Sequence, residues 1–322
     1  MTSPLTPIDL AGLKDKCVVV TGGASGLGLE AAQLFASRGA YVTIADVQPP
    51  LDGDILLTAK QGHQHVQYIP CDVSDWDSQT AVFRSAIAFS PAKTLDVVTT
   101  FAAVDPMENL IDQVKAQAKA RQEEGEKKEE GPMVPLAPPS LKCLDVNLKG
   151  SYYSAALALH YFSQRQQPSS HPPSSSPPTK ALIFISSLAG YLDDDHSVAY
   201  TMSKFGTRGL FRALRRRARA EMGVRVNLVA PWAVKTPMTA PIVAALQSMG
   251  IEDGKGITFA SKETCAQAVA RIALDETLHG RAYAIMPEGA FDIKDDIEGG
   301  YGGEELKVLM AWRKAAGDFL QG

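Results

Sequence analysis

Residues 17–28 read CVVVTGGASGLG: a β-forming apolar run that passes directly into Thr21-Gly22-Gly23-Ala24-Ser25-Gly26-Leu27-Gly28, where a helical apolar pattern begins at once. Glycines here let the turn tighten, let the backbone approach a pyrophosphate and let the helix pack on the sheet. The helix N-terminus then offers amide donors to phosphate oxygens. A glycine-rich string alone says little. This one has a strand before it, a helix after it, and Asp46 at the end of the next strand, eighteen positions beyond Gly28. That context fits a dinucleotide site far better than a plain turn followed by a strand-capping acid.

Working outward, β-rich runs recur at 17–21, 41–46, 66–71, 95–102, 181–186, 224–230 and 281–286. Several are almost continuously apolar, as strands covered on both faces must be. Helical stripes lie between them at about 28–38, 141–165, 199–222 and 262–275. This alternation predicts an α/β fold, a Rossmann-type doubly wound parallel sheet in a single domain over residues 1–322. Two segments interrupt it. Residues 107–140 carry KARQEEGEKKEEG and then PMVPLAPPS, read as an insertion near the site mouth made of a solvated helix and an extended linker. Residues 166–179, QQPSSHPPSSSPPT, have too little apolar character to pack and read as a loop.

Bulk properties narrow the function. With 45% hydrophobic and 21% charged residues the chain can bury a substantial core, and a net charge of -4 gives no reason to expect nucleic acid. No secretory start or membrane-spanning apolar run is present, which makes the cytoplasm the expected location and a membrane partner unexpected. Cys17, Cys71, Cys143 and Cys265 have no metal-ligand spacing and read as reduced, buried thiols. His63 and His65 sit in a polar stretch without partner ligands, so no metal is expected.

Asp46 can accept hydrogen bonds from adenosine ribose hydroxyls and would repel the extra phosphate of NADP. Val47 and the glycine loop offer that phosphate no cation, so NAD is the expected cofactor. At the other end of the chemistry, Tyr200 and Lys204 are four apart at the start of a helical pattern and project from one face. A tyrosine hydroxyl, with its usual pKa of about 10, becomes a workable base only when cations favour the phenolate. Lys204 and a cationic nicotinamide supply them. Tyr200 is the only tyrosine in the chain with Lys four positions on.

Together these residues resemble the short-chain dehydrogenase/reductase family, whose T-G-x-x-x-G-x-G spacing differs from the general dinucleotide fingerprint. The resemblance covers nearly the whole chain outside the two interruptions. It assigns Gly22, Ser25, Gly26, Leu27 and Gly28 to the phosphates, and Asp72 and Val73 to adenine. Ala102, Pro231, Val234 and Thr236 fall to the nicotinamide side, and Tyr200 and Lys204 to both cofactor and catalysis. It selects Ser187, thirteen residues before Tyr200, over its neighbour Ser186, and makes Asn147 an orderer of a water leading protons away from Lys204. In CDVSDW, ISSLAGYLD and SKFGTRGLFRALR the chain resembles fungal secondary-metabolite dehydrogenases related to 15-hydroxyprostaglandin dehydrogenase. One departure stands out: Thr100-Phe101-Ala102-Ala103 replaces the family's Asn-Asn-Ala-Gly.

The resemblance implies interconversion of a secondary alcohol and a ketone on a small hydroxy or keto substrate, a polyketide or terpenoid intermediate. A homodimer or homotetramer would form through the helices at 141–165 and 199–222. Two other functions fit the fold. One is an isomerase or cyclase using Tyr200 without redox change, which the altered 100–103 segment would permit; the other is a catalytically silent dinucleotide-binding protein. Arg212, Arg215, Arg216, Arg217 and Arg219 read as a solvated or subunit-facing helix surface. Asp193, Asp194, Asp195 and His196, between Ser187 and Tyr200, either touch substrate or form only a polar turn, and stay outside the expected site. Phe291, Tyr301, Met310 and Trp312 either cover a bulky apolar substrate or pack.

Overall fold

The computed structural model describes residues 4–6, 8–50, 65–107, 109–125, 137–164, 180–192, 197–254 and 256–296. His63, part of the 107–140 insertion (126–136), the 166–179 loop, Asp193 to His196, Tyr301, Met310 and Trp312 lie outside the described residues.

Among the described residues, seven parallel strands and one antiparallel edge strand form the central sheet. They are β1 (Cys17–Thr21), β2 (Tyr41–Asp46), β3 (Val66–Pro70), β4 (Val97–Thr100), β5 (Ala181–Ile185) and β6 (Arg225–Pro231). A small two-stranded sheet of β7 (Glu252–Asp253) and β8 (Gly256–Ile257) precedes β9 (Ala282–Met286) and β10 (Gly289–Asp292). The order across the large sheet is β10-β9-β6-β5-β4-β1-β2-β3. The chain steps outward from β1 to β3, then returns to β4 on the other side of β1 and steps outward again. That reversal leaves a crevice beyond the carboxyl ends of β1 and β4, where open sheets of this kind bind ligands.

Strand sequence explains the layering. β1 is buried at every residue: Val18 and Val20 enter one core, Cys17 and Val19 the other. This is the alternation of a pleated strand covered on both sides. On the first face lie α1 (Gly26–Ser37) and, packed against it, a later helix at Lys262–Leu274, through Phe35, Val269 and Ile272. On the second face lies α2 (Trp76–Phe89), through Val82, Phe83 and Ala86. It is joined there by the helices at Gly150–Ser163 and Val198–Met222, through Ala158 and Phe211.

The sequence reading missed α2. Its buried face includes Gln79, whose amide donates to Val73 O (2.5 Å) and Gly150 O (2.9 Å), so a polar residue interrupts the apolar stripe. Asp75 caps it by accepting from Ser78 N at 2.6 Å, a contact worth about 1 kcal/mol. Within the described part of the insertion lies the expected helix: α3 spans Leu110–Gly125. Then follow α4 (Lys142–Leu144), a π-helical turn at Asp145–Lys149, α5 (Gly150–Ser163), α6 (Val198–Met222), α7 (Ala240–Ser248) and α8 (Lys262–Leu274). The expected fourth strand contracts to 97–100, with the Asp96 carboxylate accepting from Cys17 N at its foot (2.9 Å). β10 and α7 were not expected either. Phe291 lies in β10 and forms a backbone bridge with Pro4, an edge packing position. All four cysteines are free and buried.

Candidate active site

The glycine turn sits at the crevice. Gly22 and Gly26 hold left-handed φ values of 69° and 55°. A Cβ on Gly28 would fall 2.1 Å from Gly22 O, and one on Gly22 would fall 2.4 Å from Ala102 N. Side chains at these positions are sterically impossible without moving backbone, and the strand end at 101–102 crosses directly over the turn. Ser25, the N-cap of α1, makes no capping hydrogen bond with its side chain. The first-turn amides of a twelve-residue helix are thus left for an anion.

Asp46 closes the turn from the side. Its Oδ2 accepts from Ala24 N at 3.0 Å and its Oδ1 from Gln48 N at 3.3 Å, and the exposed Val47 follows it. Asp72 accepts from both the hydroxyl (2.7 Å) and amide (2.8 Å) of Ser74, which hold its carboxyl below the usual range. Val73 is buried, pressed against Gly150, where an added Cβ would lie 2.8 Å from its Cγ2. On the opposite wall Thr236 approaches the turn: a Cβ on Gly26 would lie 3.4 Å from Thr236 Cβ. Thr236 and Val234 are braced by Thr239, whose hydroxyl donates to Val234 O at 2.6 Å and accepts from Thr236 N at 2.9 Å. Pro231 ends β6, and its carbonyl accepts from Ser187 Oγ at 3.5 Å. These uncapped amides and glycine contacts, with the acid beside them, fit a dinucleotide.

Ser187 follows β5 and caps the short turn Leu188–Gly190 by accepting from Ala189 N at 3.2 Å. Tyr200 lies in the first turn of α6 and Lys204 one turn on. Lys204 Nζ is 5.2 Å from the Tyr200 ring centroid and donates to Ile185 O at 3.2 Å, so both groups stand at the carboxyl end of β5. Burial pulls the Lys204 ammonium down to about 8, against the opposing influence of Cys143 and Asp105. Asn147 is buried in the π-helical turn; its Nδ2 reaches Val104 O (2.9 Å), Ser203 Oγ (3.0 Å) and Cys143 Sγ (3.3 Å), and its Oδ1 accepts from Val104 N at 2.8 Å.

Residues 16–247 match the family described as short chain dehydrogenase. The chain belongs to that family. A protein from Dothistroma septosporum named 5'-hydroxyaverantin dehydrogenase is 46% identical over 315 residues, covering 97% of this chain and 97% of its own. The 5'-hydroxyaverantin dehydrogenase stcG of Emericella nidulans is 40% identical over 316 residues, covering 96% of each. A protein of Phoma sp. named NADP-dependent dehydrogenase M3 is 34% identical over 224 residues, 70% of this chain and 61% of its own.

The short-chain dehydrogenase departure at 100–103 needs no special backbone. No residue from Thr100 to Ala103 has positive φ, so Ala103 stands in for glycine without strain. Thr100 Oγ1 accepts from Ile185 N at 3.4 Å, and Phe101 packs against the first core. Sequence reasoning set Ser186 aside for Ser187, though its hydroxyl donates to Lys204 O at 3.0 Å, and missed Ser203, which links Asn147 to the Tyr200 turn by donating to Tyr200 O at 2.6 Å. Adjacency to Ser187 and Lys204 was the only available signal for either.

Proposed function

We propose that this protein oxidises a secondary alcohol of the 5'-hydroxyaverantin kind to the ketone, using NAD. The observation that carries the reading is Lys204, buried beside the Tyr200 ring at the end of β5, with Ser187 on the same strand end. Its relatives named 5'-hydroxyaverantin dehydrogenase support the substrate class.

A bound nicotinamide would supply the hydride acceptor for the carbinol carbon. Tyr200, as phenolate, takes the hydroxyl proton, and Ser187 donates a hydrogen bond to the same oxygen, orienting it and steadying its charge. Lys204 would hold the nicotinamide ribose, and its charge favours the phenolate. Asn147 fixes Val104 and Ser203 around this group, and through the family likeness orders the water that carries protons from Lys204. Gly22, Ser25, Gly26, Leu27 and Gly28 would bind the pyrophosphate, Asp46 the ribose, Asp72 and Val73 the adenine. Ala102, Pro231, Val234 and Thr236 would border the nicotinamide.

NAD is favoured over NADP because Asp46 faces the glycine turn and Val47 offers no cation beside it. Trp232, Met238 and Ile242 expose apolar surface after β6, suited to a large flat substrate. An apolar groove of about 360 Å³ formed by Leu141, Leu144, Leu148, Tyr152 and Leu210 supports association of copies through α4 to α6 as a homodimer or homotetramer. The test is incubation with 5'-hydroxyaverantin and NAD: a product two hydrogens lighter supports the reading, and an isomer of unchanged mass rejects it.

A further inference from the structure

Lys294 and Asp295, just past β10, hold φ values of 59° and 48°, each a backbone cost of about 1 kcal/mol or more for a non-glycine residue. What holds them there is a buried carboxylate among three arginines of α6, the helix that carries Tyr200 and Lys204. Asp295 Oδ1 accepts from Arg208 Nε at 2.5 Å; Oδ2, buried without a hydrogen-bond partner, lies 3.6 Å from Arg215 Nη1 and 3.8 Å from Arg212 Nε. The basic cluster expected to be a solvated or subunit-facing surface is thus partly internal: Arg215 is buried and also donates to Gly280 O and Asp295 O.

Arg208 does more than neutralise a charge. Its guanidinium sits 4.0 Å from the Tyr191 ring centroid and donates to Gly190 O at 3.4 Å. Gly190 and Tyr191 end the turn that Ser187 caps. That turn is wedged in place, since a Cβ on Gly190 would fall 2.8 Å from Ser186 Oγ and 2.9 Å from Lys204 O.

We infer that Asp295 is a positioning residue: it orients Arg208 against the Gly190–Tyr191 turn and thereby fixes Ser187 relative to Tyr200 and Lys204. The inference rests on the oxidoreductase reading above. It makes Asp295 part of what sets the catalytic geometry, acting through Arg208, Arg212 and Arg215 of α6.

The full chain carrying Asp295→Asn, which keeps shape and loses charge, and Arg208→Met are compared with wild type. The readouts are kcat with 5'-hydroxyaverantin and NAD, the Kd of NADH, and amide exchange by residue. Both variants are expected to lower kcat about tenfold with NADH affinity nearly unchanged. Exchange at residues 190–192 should rise about tenfold while β1 and α8 keep their protection. Tyr191→Leu removes the ring beside Arg208 and the hydroxyl facing Asp295 while leaving the Asp295–Arg208 contact; it is expected to lower kcat in the same way even if the charge variants fold poorly. Unchanged kcat with protection lost across the whole sheet would mean that Asp295 only anchors the chain, and would overturn the inference. If wild type itself does not oxidise the alcohol, the functional reading fails. The exchange pattern then still decides whether Asp295 holds the turn.

Discussion

Asn147 grips both polar atoms of the Val104 backbone, accepting from its N–H at 2.8 Å and donating to its carbonyl at 2.9 Å. The chain just beyond β4 is therefore tied to the π-helical turn by a side chain that also bonds Ser203, the neighbour of Lys204. Removing it strands the Val104 N–H, leaves the Val104 carbonyl only the Cys143 thiol at 3.4 Å, and takes a donor from the Ser203 hydroxyl, which keeps its bond to Tyr200 O. Asn147→Ala is expected to destabilise the protein by about 2–4 kcal/mol, read as a lower urea midpoint at unchanged slope, and to reduce turnover as well.

Tyr200→Phe keeps the ring beside Lys204 and removes only the proton acceptor. Turnover should fall roughly 100- to 10,000-fold while the Kd of NADH stays within a few-fold, as measured by stopped-flow and fluorescence titration. Retained turnover would sink the assignment of Tyr200.

Gly28→Ala requires a Cβ 2.1 Å from Gly22 O, so the turn must open. Dinucleotide binding should be lost in calorimetric titration, with the sheet itself still folded by circular dichroism.

Asp46→Ser removes the charge that opposes a ribose phosphate and weakens the brace on Ala24 N. Wild type should prefer NAD, and the variant should narrow the kcat/KM ratio of NAD to NADP on the order of tenfold, equivalent to about 1.4 kcal/mol. A wild type preferring NADP would reject the reading of Asp46.

Lys204 has a folded-state pKa near 8, below its ordinary 10.5, because burial disfavours the charge. Below about 8 the folded state bears the full cost of burying the ammonium. Between about 8 and 10.5 the unfolded chain binds more protons than the folded one, so this group's cost is relieved as pH rises. The buried thiols of Cys17 and Cys265, pushed up to about 12, act in the opposite sense above pH 9. The clean observable is a difference: the stability advantage of Lys204→Met over wild type should shrink as pH is raised from 8 to 10.5, by denaturant titration of the cofactor-free protein.

The strands announced themselves because burial on both faces forces unbroken apolar runs such as Val18-Val19-Val20 and Leu182-Ile183-Phe184. The glycine turn was legible because no other residue fits where a Cβ meets Gly22 O. α2 was not, because Gln79 occupies a core position and its bonds to Val73 and Gly150 form only after folding. The same holds for the 100–103 segment, whose unfamiliar letters hid an ordinary backbone, and for Asp295. In sequence, Asp295 is one acid in a polar stretch; only the fold brings it to arginines some 80 residues earlier.

The central claim is hydride transfer from substrate carbon to NAD with the proton leaving through Tyr200. It is tested most directly with 5'-hydroxyaverantin deuterated at the carbinol carbon and NAD, weighing both products by mass spectrometry. The account requires deuterium in the reduced cofactor and none at that carbon of a ketone product. Deuterium retained in an isomerised product, with no reduced cofactor formed, would contradict it.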